Sequence, residues 1–457
     1  MDIDSDLTSL LACPRCDHPL ESGAGTWRCG SCQVRFPELD GIPCLYAEPE
    51  AALGEWRGRL HQELRRLQSD RAELERTLAR SNLAELSRKR LARRLDATRL
   101  HHDELGALLA PLLHGHPAAS FETYLALRTR PPVDQGLTTY YANVHRDWCW
   151  GDEENSRAVG LIEEVLGDRP RPERMLVLGA GAGRLAHDLH ACFGCIQTVA
   201  LDFNPLLMLL AARMFRGEAL TLHEFPIAPR RLEDQAIART LEAPAPARPG
   251  LYPLLGDALR PPFAASSFDL VVTPWVLDIL PDDPANTAAR INRLLVPDGR
   301  WISFGSLNFG HADPALCLSL EETLATVAGA GFDAPNVLEA WIPYMCSPAS
   351  RHGRREEVVT FCASRHGDVD APERHRALPD WLVTGTEPVP LLPHFQMQTL
   401  STRVHLFIMG MIDGRRSVKD MAQAMEAQQL MTRDEAEPAV RTFLMRMFDD
   451  AQGERRF

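Results

Sequence analysis

Residues 174–184, Arg-Met-Leu-Val-Leu-Gly-Ala-Gly-Ala-Gly-Arg, read as a buried strand that runs into a glycine turn and opens a helix. Met175, Leu176, Val177 and Leu178 form the unbroken apolar run of a strand covered on both faces of a parallel sheet. Gly179, Gly181 and Gly183 remove side chains where the backbone must turn sharply. A pyrophosphate-binding turn requires G-x-G-x-x-G, and here position 184 is Arg184. The shorter G-x-G-x-G pattern acquires meaning from the next strand, 196–202, which ends in Asp202. In a parallel sheet that carboxylate emerges at the same edge as the glycine turn, where it can accept both hydroxyls of a ribose. Asn204 and Pro205 then open the following helix.

The spacing from Gly179 to Asp202 also suits a nicotinamide-binding protein, so the later motifs decide. Leu254-Leu255-Gly256-Asp257-Ala258 reads as a third strand with its own acid, and Phe268 to Trp275, containing Thr273, as a fourth. Ile291-Asn-Arg-Leu-Leu-Val-Pro297-Asp298-Gly299 leads by an L-x-P-x-G turn into a fifth strand. This order resembles class I S-adenosylmethionine-dependent methyltransferases, which implies an α/β, Rossmann-like core. The resemblance implies that Gly179, Gly181 and Gly183 lie against the cofactor's methionine and ribose, with Asp202 and Asn204 at the ribose. It places Asp257 and Ala258 at the adenine, Arg184 at the cofactor carboxylate, and Trp148 and Thr273 elsewhere on the cofactor.

Residues 138–363 resemble the carnosine N-methyltransferase family through Val144-His-Arg-Asp147-Trp148, the segment 178–186, Leu207-Met208-Leu209-Leu210-Ala211 and Val272-Thr273-Pro-Trp-Val-Leu-Asp278. Two departures stand out. Asp202 replaces the family's usual glutamate, and Ile279-Leu280-Pro281-Asp282 replaces the Thr-Ala-His-Asn that follows the family's aspartate. The resemblance implies that Asp278, His311 and Tyr344 are catalytic and that Asn308 and His311, after the fifth strand, touch substrate. An imidazole suits such a site, because at neutral pH one ring nitrogen is already a nucleophile. A carboxylate accepting the opposite N–H would fix the tautomer and stabilise the imidazolium that forms. The bland alternatives are a loop ion pair for Asp278 and packing on the sixth strand for Tyr344.

Ahead of this core, Cys13-Pro-Arg-Cys16, twelve residues and Cys29-Gly-Ser-Cys32 give two C-x-x-C knuckles at zinc-ribbon spacing. Four thiolates close a tetrahedral Zn2+ site and leave no open position, so the metal would be structural. A redox pair is the competing reading. The surrounding residues, through Asp40-Gly41-Ile42-Pro43, resemble ribbons fused to some bacterial methyltransferases.

Residues 49–115 read as a helical connector, proline-free over 53–105 and with leucines at 60, 64, 67, 74, 78, 91 and 95. It would pack on the core or pair in a homodimer. Residues 116–370 form the methyltransferase domain, entered through Tyr140-Tyr141-Ala-Asn143-Val-His145-Arg146-Asp147-Trp148-Cys-Trp150, where buried Arg146 and Asp147 would need partners. Residues 371–457 suggest a small helical or winged module. Its D-G-x-x-S-V-x-D-M-A stretch resembles PqqD-like peptide-binding modules, which implies contact with a peptide or protein.

A net charge of -13 argues against a nucleic-acid backbone as the main partner, and residues 51–105 are the local exception, with 13 Lys plus Arg against 9 Asp plus Glu. The acidic start Met-Asp-Ile-Asp-Ser-Asp lacks the order of a secretory signal, so a reducing cytoplasm and free thiols are expected for the eleven cysteines. Together these features read as an N-methyltransferase of a small molecule or peptide carrying an imidazole. Its rivals are an RNA or protein methyltransferase guided by the ribbon and a non-catalytic cofactor-binding scaffold.

Overall fold

The computed structural model describes residues 5–23, 25–113, 136–311, 313–372, 381 and 387–453. The chain divides into two compact units, Met1–Pro379 and Asp380–Phe457. The expected boundary at 115/116 lies outside the described residues.

The first unit begins with the ribbon, an antiparallel sheet of β1 (Leu20–Gly23), β2 (Thr26–Cys29), β3 (Arg35–Leu39) and β4 (Ile42–Pro43) in that order. The connector that follows is two helices, Pro49–Leu78 and Glu85–Leu108, packed against each other and joined across their exposed faces by the Arg99–Glu75 ion pair.

The core is one sheet of seven strands. They are β5 (Arg174–Leu178), β6 (Gln197–Asp202), β9 (Leu251–Leu255), β10 (Phe268–Pro274), β11 (Leu295–Gly305), β12 (Asn336–Tyr344) and β13 (Arg354–Ser364), in the spatial order β12-β13-β11-β10-β5-β6-β9. The strands β9, β6, β5, β10 and β11 are parallel; β13 runs antiparallel to β11, and β12, antiparallel to β13, takes the direction of the other five. The apolar run in β5 is fully buried at Met175, Leu176 and Val177, as a central strand covered on both faces must be. The chain order reverses between β5 and β10, and the ends of these strands open a crevice there.

The helix Pro205–Phe215 shows how sequence places the covering layer. Asn204 caps it through a side chain accepting from Leu206 N, Pro205 occupies the first turn, and ten of its eleven residues are buried. A helix apolar on all sides must be covered on all sides, and this one lies between the sheet and the connector helix Glu85–Leu108. A hairpin of β7 (Leu220–Glu224) and β8 (Ile237–Leu241), inserted before β9, was not anticipated by the β-α alternation.

The second unit contains the helices Pro393–Gly410, Val418–Ala427 and Arg433–Gly453 around Val404, Ile408, Met421, Met425 and Val440. Among its described residues these helices stand without a strand. The Asp413-Gly414 stretch closes as a turn instead, with the Asp413 carboxylate accepting from Arg415 N and Arg416 N and Gly414 at φ 73°.

Candidate active site

A cavity of about 510 Å³ opens at the carboxyl ends of the parallel strands. Its floor is the glycine turn after β5. Gly179 has φ 77°, and a β-carbon there would sit 2.8 Å from the Val276 side chain, so both conformation and space demand glycine. Gly181 has φ 58° and nothing within 4 Å of the β-carbon position, which leaves bare backbone facing open space in the cavity. At the end of β6 the Asp202 carboxylate accepts from Gly181 N through Oδ2 and from Asn204 N through Oδ1, both at 2.9 Å. Burial pushes its pKa up to about 6 against the pull of these backbone donors. Beyond β9, Asp257, Ala258 and Leu259 line the next wall, with Asp257 Oδ1 accepting from Leu259 N at 2.8 Å.

The opposite side is aromatic. Trp275, just past β10 and at φ 52°, lies edge-on to Phe304 at 5.6 Å and tilted against Tyr344 at 4.8 Å. The Arg354 guanidinium sits 4.6 Å from the Tyr344 ring centre. Burial pushes the Tyr344 phenol up, keeping it neutral. Asp278 borders the same space. Its Oδ2 accepts from Ser306 Oγ at 3.1 Å and Asn308 N at 2.7 Å, so the carboxylate is oriented from β11's outgoing loop.

The segment before the core closes the cavity. Tyr141–His145 is α-helical and Arg146–Trp150 continues as one π-turn, closed by Gly151 N donating to Arg146 O at 2.8 Å. This presents Arg146 and Asp147 to the cavity together with Glu154 and Asn155 from the helix Asp152–Leu166. Arg146 donates to Asp147 at 2.6 Å and to Glu154 at 2.7 Å, and Glu154 also accepts from Met345 N. Burial opposes the Arg146 charge, but the two carboxylates outweigh it and hold the guanidinium above its ordinary value. Burial pushes both carboxylates up. Asn155 is among the lining residues, and its amide nitrogen is buried without a hydrogen-bond partner.

The cavity thus gathers Gly179, Gly181, Asp202, Asp257, Ala258, Asp278, Tyr344 and Asn308. Six expected residues lie outside its lining. Arg184 is turned inward, donating to Asp188, Asp152 and the Asp147 carbonyl, so its guanidinium is already committed. Trp148 props the glycine turn from behind, its indole N–H donating to Ala182 O. Gly183 packs on Phe215 and Ala211, where a β-carbon would come within 2.8 Å of the ring. Asn204 is spent on its cap and on Leu137 O. Thr273 accepts from the Trp301 indole inside the core. His311 accepts from Asp313 N in the loop beyond Asn308. Sequence reasoning missed Tyr46, Glu154, Asn155, Trp275 and Arg354. Trp275 alone carried a signal, as the aromatic residue closing the fourth strand.

In the ribbon, the thiols of Cys13, Cys16, Cys29 and Cys32 all lie within 4.8 Å of one another. The Cys13–Cys32 and Cys16–Cys29 sulfur separations are 3.5 and 3.4 Å. A tetrahedron of zinc–sulfur bonds of about 2.3 Å has edges of about 3.8 Å, so the donor set fits a four-coordinate thiophilic cation with little adjustment.

Residues 176–303 match the family described as "Methyltransferase domain". The chain is similar to a carnosine N-methyltransferase from Dictyostelium discoideum, 27% identical over 197 residues, or 36% of this chain. It spans 40% of the length of that relative. Solved structures similar to it include a possible histamine N-methyltransferase from Thermotoga maritima (16% identity, 49% of this chain and 92% of that one, TM-score 0.29). Another is a phosphoethanolamine N-methyltransferase from Haemonchus contortus (15% identity, 55% and 62%, TM-score 0.33). Residues 176–303 thus match a methyltransferase domain and lie on the Rossmann-like, mostly parallel sheet.

Proposed function

We propose that the protein transfers a methyl group from S-adenosylmethionine to the imidazole nitrogen of a histidine-containing small molecule, dipeptide or peptide, and that its ribbon holds a structural Zn2+. The observation that carries the substrate reading is Asp278. Its Oδ2 is pinned by Ser306 and Asn308, which leaves Oδ1 for a ligand N–H beside the Trp275–Tyr344 wall. The similarity to a carnosine N-methyltransferase supports the same substrate class.

The residues present fit the cofactor: bare glycine backbone, a buried carboxylate at the ribose position and an acid at the adenine position. When bound, the cofactor supplies an electrophilic methyl on a sulfonium. Asp202 would accept the ribose hydroxyls and Asp257 the adenine amino group. The chain's work at the acceptor is orientation and charge stabilisation. Asp278 accepts the N–H of one ring nitrogen, which fixes the tautomer and aims the lone pair of the other. As the new N–C bond forms and the S–C bond breaks, positive charge moves onto the ring, where the carboxylate stabilises it. The N–H proton then leaves through Asp278 to solvent.

Incubating the protein with methyl-labelled cofactor and a panel of histidine, histidyl dipeptides, histidine peptides and RNA tests this reading. Label is expected on an imidazole. Transfer to RNA alone, or cofactor binding with no transfer, would overturn it.

A further inference from the structure

The ribbon is built into the cofactor pocket. The chain leaving it pairs with the free edge of the sheet: Cys44 bridges Leu255 in parallel, and Leu45 N donates to Leu255 O at 2.7 Å. The chain entering it makes a second seam on the loop after β9. Leu11 bridges Phe263, Ala12 N donates to Pro262 O at 2.9 Å, and Ala264 N donates to Leu10 O at 2.9 Å. Residues 256–264, which carry Asp257, Ala258 and Leu259, are therefore held between two backbone seams that flank the four cysteines. Tyr46 follows directly. It is buried, lines the cavity with Ala52, and its hydroxyl donates to Phe203 O at 2.7 Å, next to Asp202. Trp56 places its ring 5.8 Å from Phe203.

The seams depend on the ribbon keeping its shape. Cys13 follows Ala12 without a spacer and its N–H donates to His18 O, while Cys44 N donates to Pro37 O in β3. A module this small has too little core to stay folded without its metal. We propose that the ribbon is one wall of the cofactor site: the metal-held fold seats residues 10–12 and 44–46 against the Asp257 loop and Phe203, so cofactor affinity depends on the four-thiol centre. The proposal rests on reading that centre as a metal site. It gives the ribbon a role in the methyl-donor half of the reaction, apart from any contact with substrate.

The test uses the full chain, with zinc content and S-adenosylhomocysteine affinity measured separately and amide exchange followed over residues 256–264. Cys32→Ser is expected to lose zinc, weaken S-adenosylhomocysteine at least tenfold and deprotect those amides. Tyr46→Phe is expected to keep zinc and weaken the ligand about fivefold, the value of one neutral hydrogen bond. A zinc-free variant with wild-type affinity and exchange would overturn the dependence on metal. Wild-type protein that takes up no zinc would overturn the metal reading itself. Should Cys32→Ser fail to fold, Tyr46→Phe and Tyr46→Ala still decide: unchanged affinity in both removes the wall.

Discussion

Asp202 ought to make cofactor binding and protein stability respond to acid in opposite directions. Burial raises its pKa from 3.8 to about 6, equivalent to about 3 kcal/mol favouring the neutral acid in the free protein. The sign for stability follows from linkage. The unfolded chain ionises near 4 and the folded one near 6, so this group's stabilisation is complete below about pH 4 and is lost as pH rises through 6. Binding runs the other way, because ribose hydroxyls donate to the ionised carboxylate. With a pKa of about 6, S-adenosylhomocysteine should bind about tenfold more weakly at pH 5 than at pH 8. Asp202→Asn removes the titration and one acceptor oxygen, leaving either Gly181 N or Asn204 N without its partner. It should weaken binding by about 10- to 100-fold at pH 7.5 through the lost charge-assisted bonds. It should also abolish the loss of affinity towards pH 5. Calorimetric titration from pH 5 to 8 on both proteins measures these effects, with urea melts tracking stability. A wild-type affinity flat across that range, or the same acid slope in Asp202→Asn, would refute the assignment.

Other perturbations separate the remaining roles. Asp278→Asn should lower kcat by about 100-fold while S-adenosylhomocysteine affinity stays within twofold, since the amide can still meet Ser306 but cannot balance charge on the ring; equal losses in steady-state kinetics and ligand titration would make Asp278 structural. Arg146→Met leaves the buried Asp147 and Glu154 without their counter-charge and should cost about 3–5 kcal/mol in a urea melt. Gly179→Ala forces a β-carbon against Val276 at a positive φ, and should weaken cofactor binding by at least tenfold in the same titration.

The motifs legible in the sequence are those where a single residue's chemistry is tied to a backbone position. Gly179 and Gly181 turn the chain at positive φ, Asp202 ends β6 and Asp257 follows β9 at the same edge, and four cysteines converge as two pairs, the set a tetrahedral ion would require. Residues whose function depends on what another segment leaves free were misread. Arg184 has the right charge and a place beside the turn, but Asp188, one helical turn later, and Asp152 satisfy it inside the protein. Arg146, which looked only like a buried charge in need of a partner, lines the cavity together with Arg354, and the π-turn that carries Arg146 has no signature in residue spacing. Tyr46 was illegible for a further reason. It sits 156 residues before Asp202, and the long-range pairing of Cys44 and Leu45 with Leu255 brings it to the cavity. On the proposed reading, local pattern reports the part of the cofactor half that one βαβ unit supplies, while Asp257 and Tyr46 come to it from outside that unit. The acceptor half is assembled from the entry segment, β10, β11 and β12, and its specificity lies in how these meet: an aromatic wall, a pinned carboxylate and a paired arginine, none of which is a motif in any one of them.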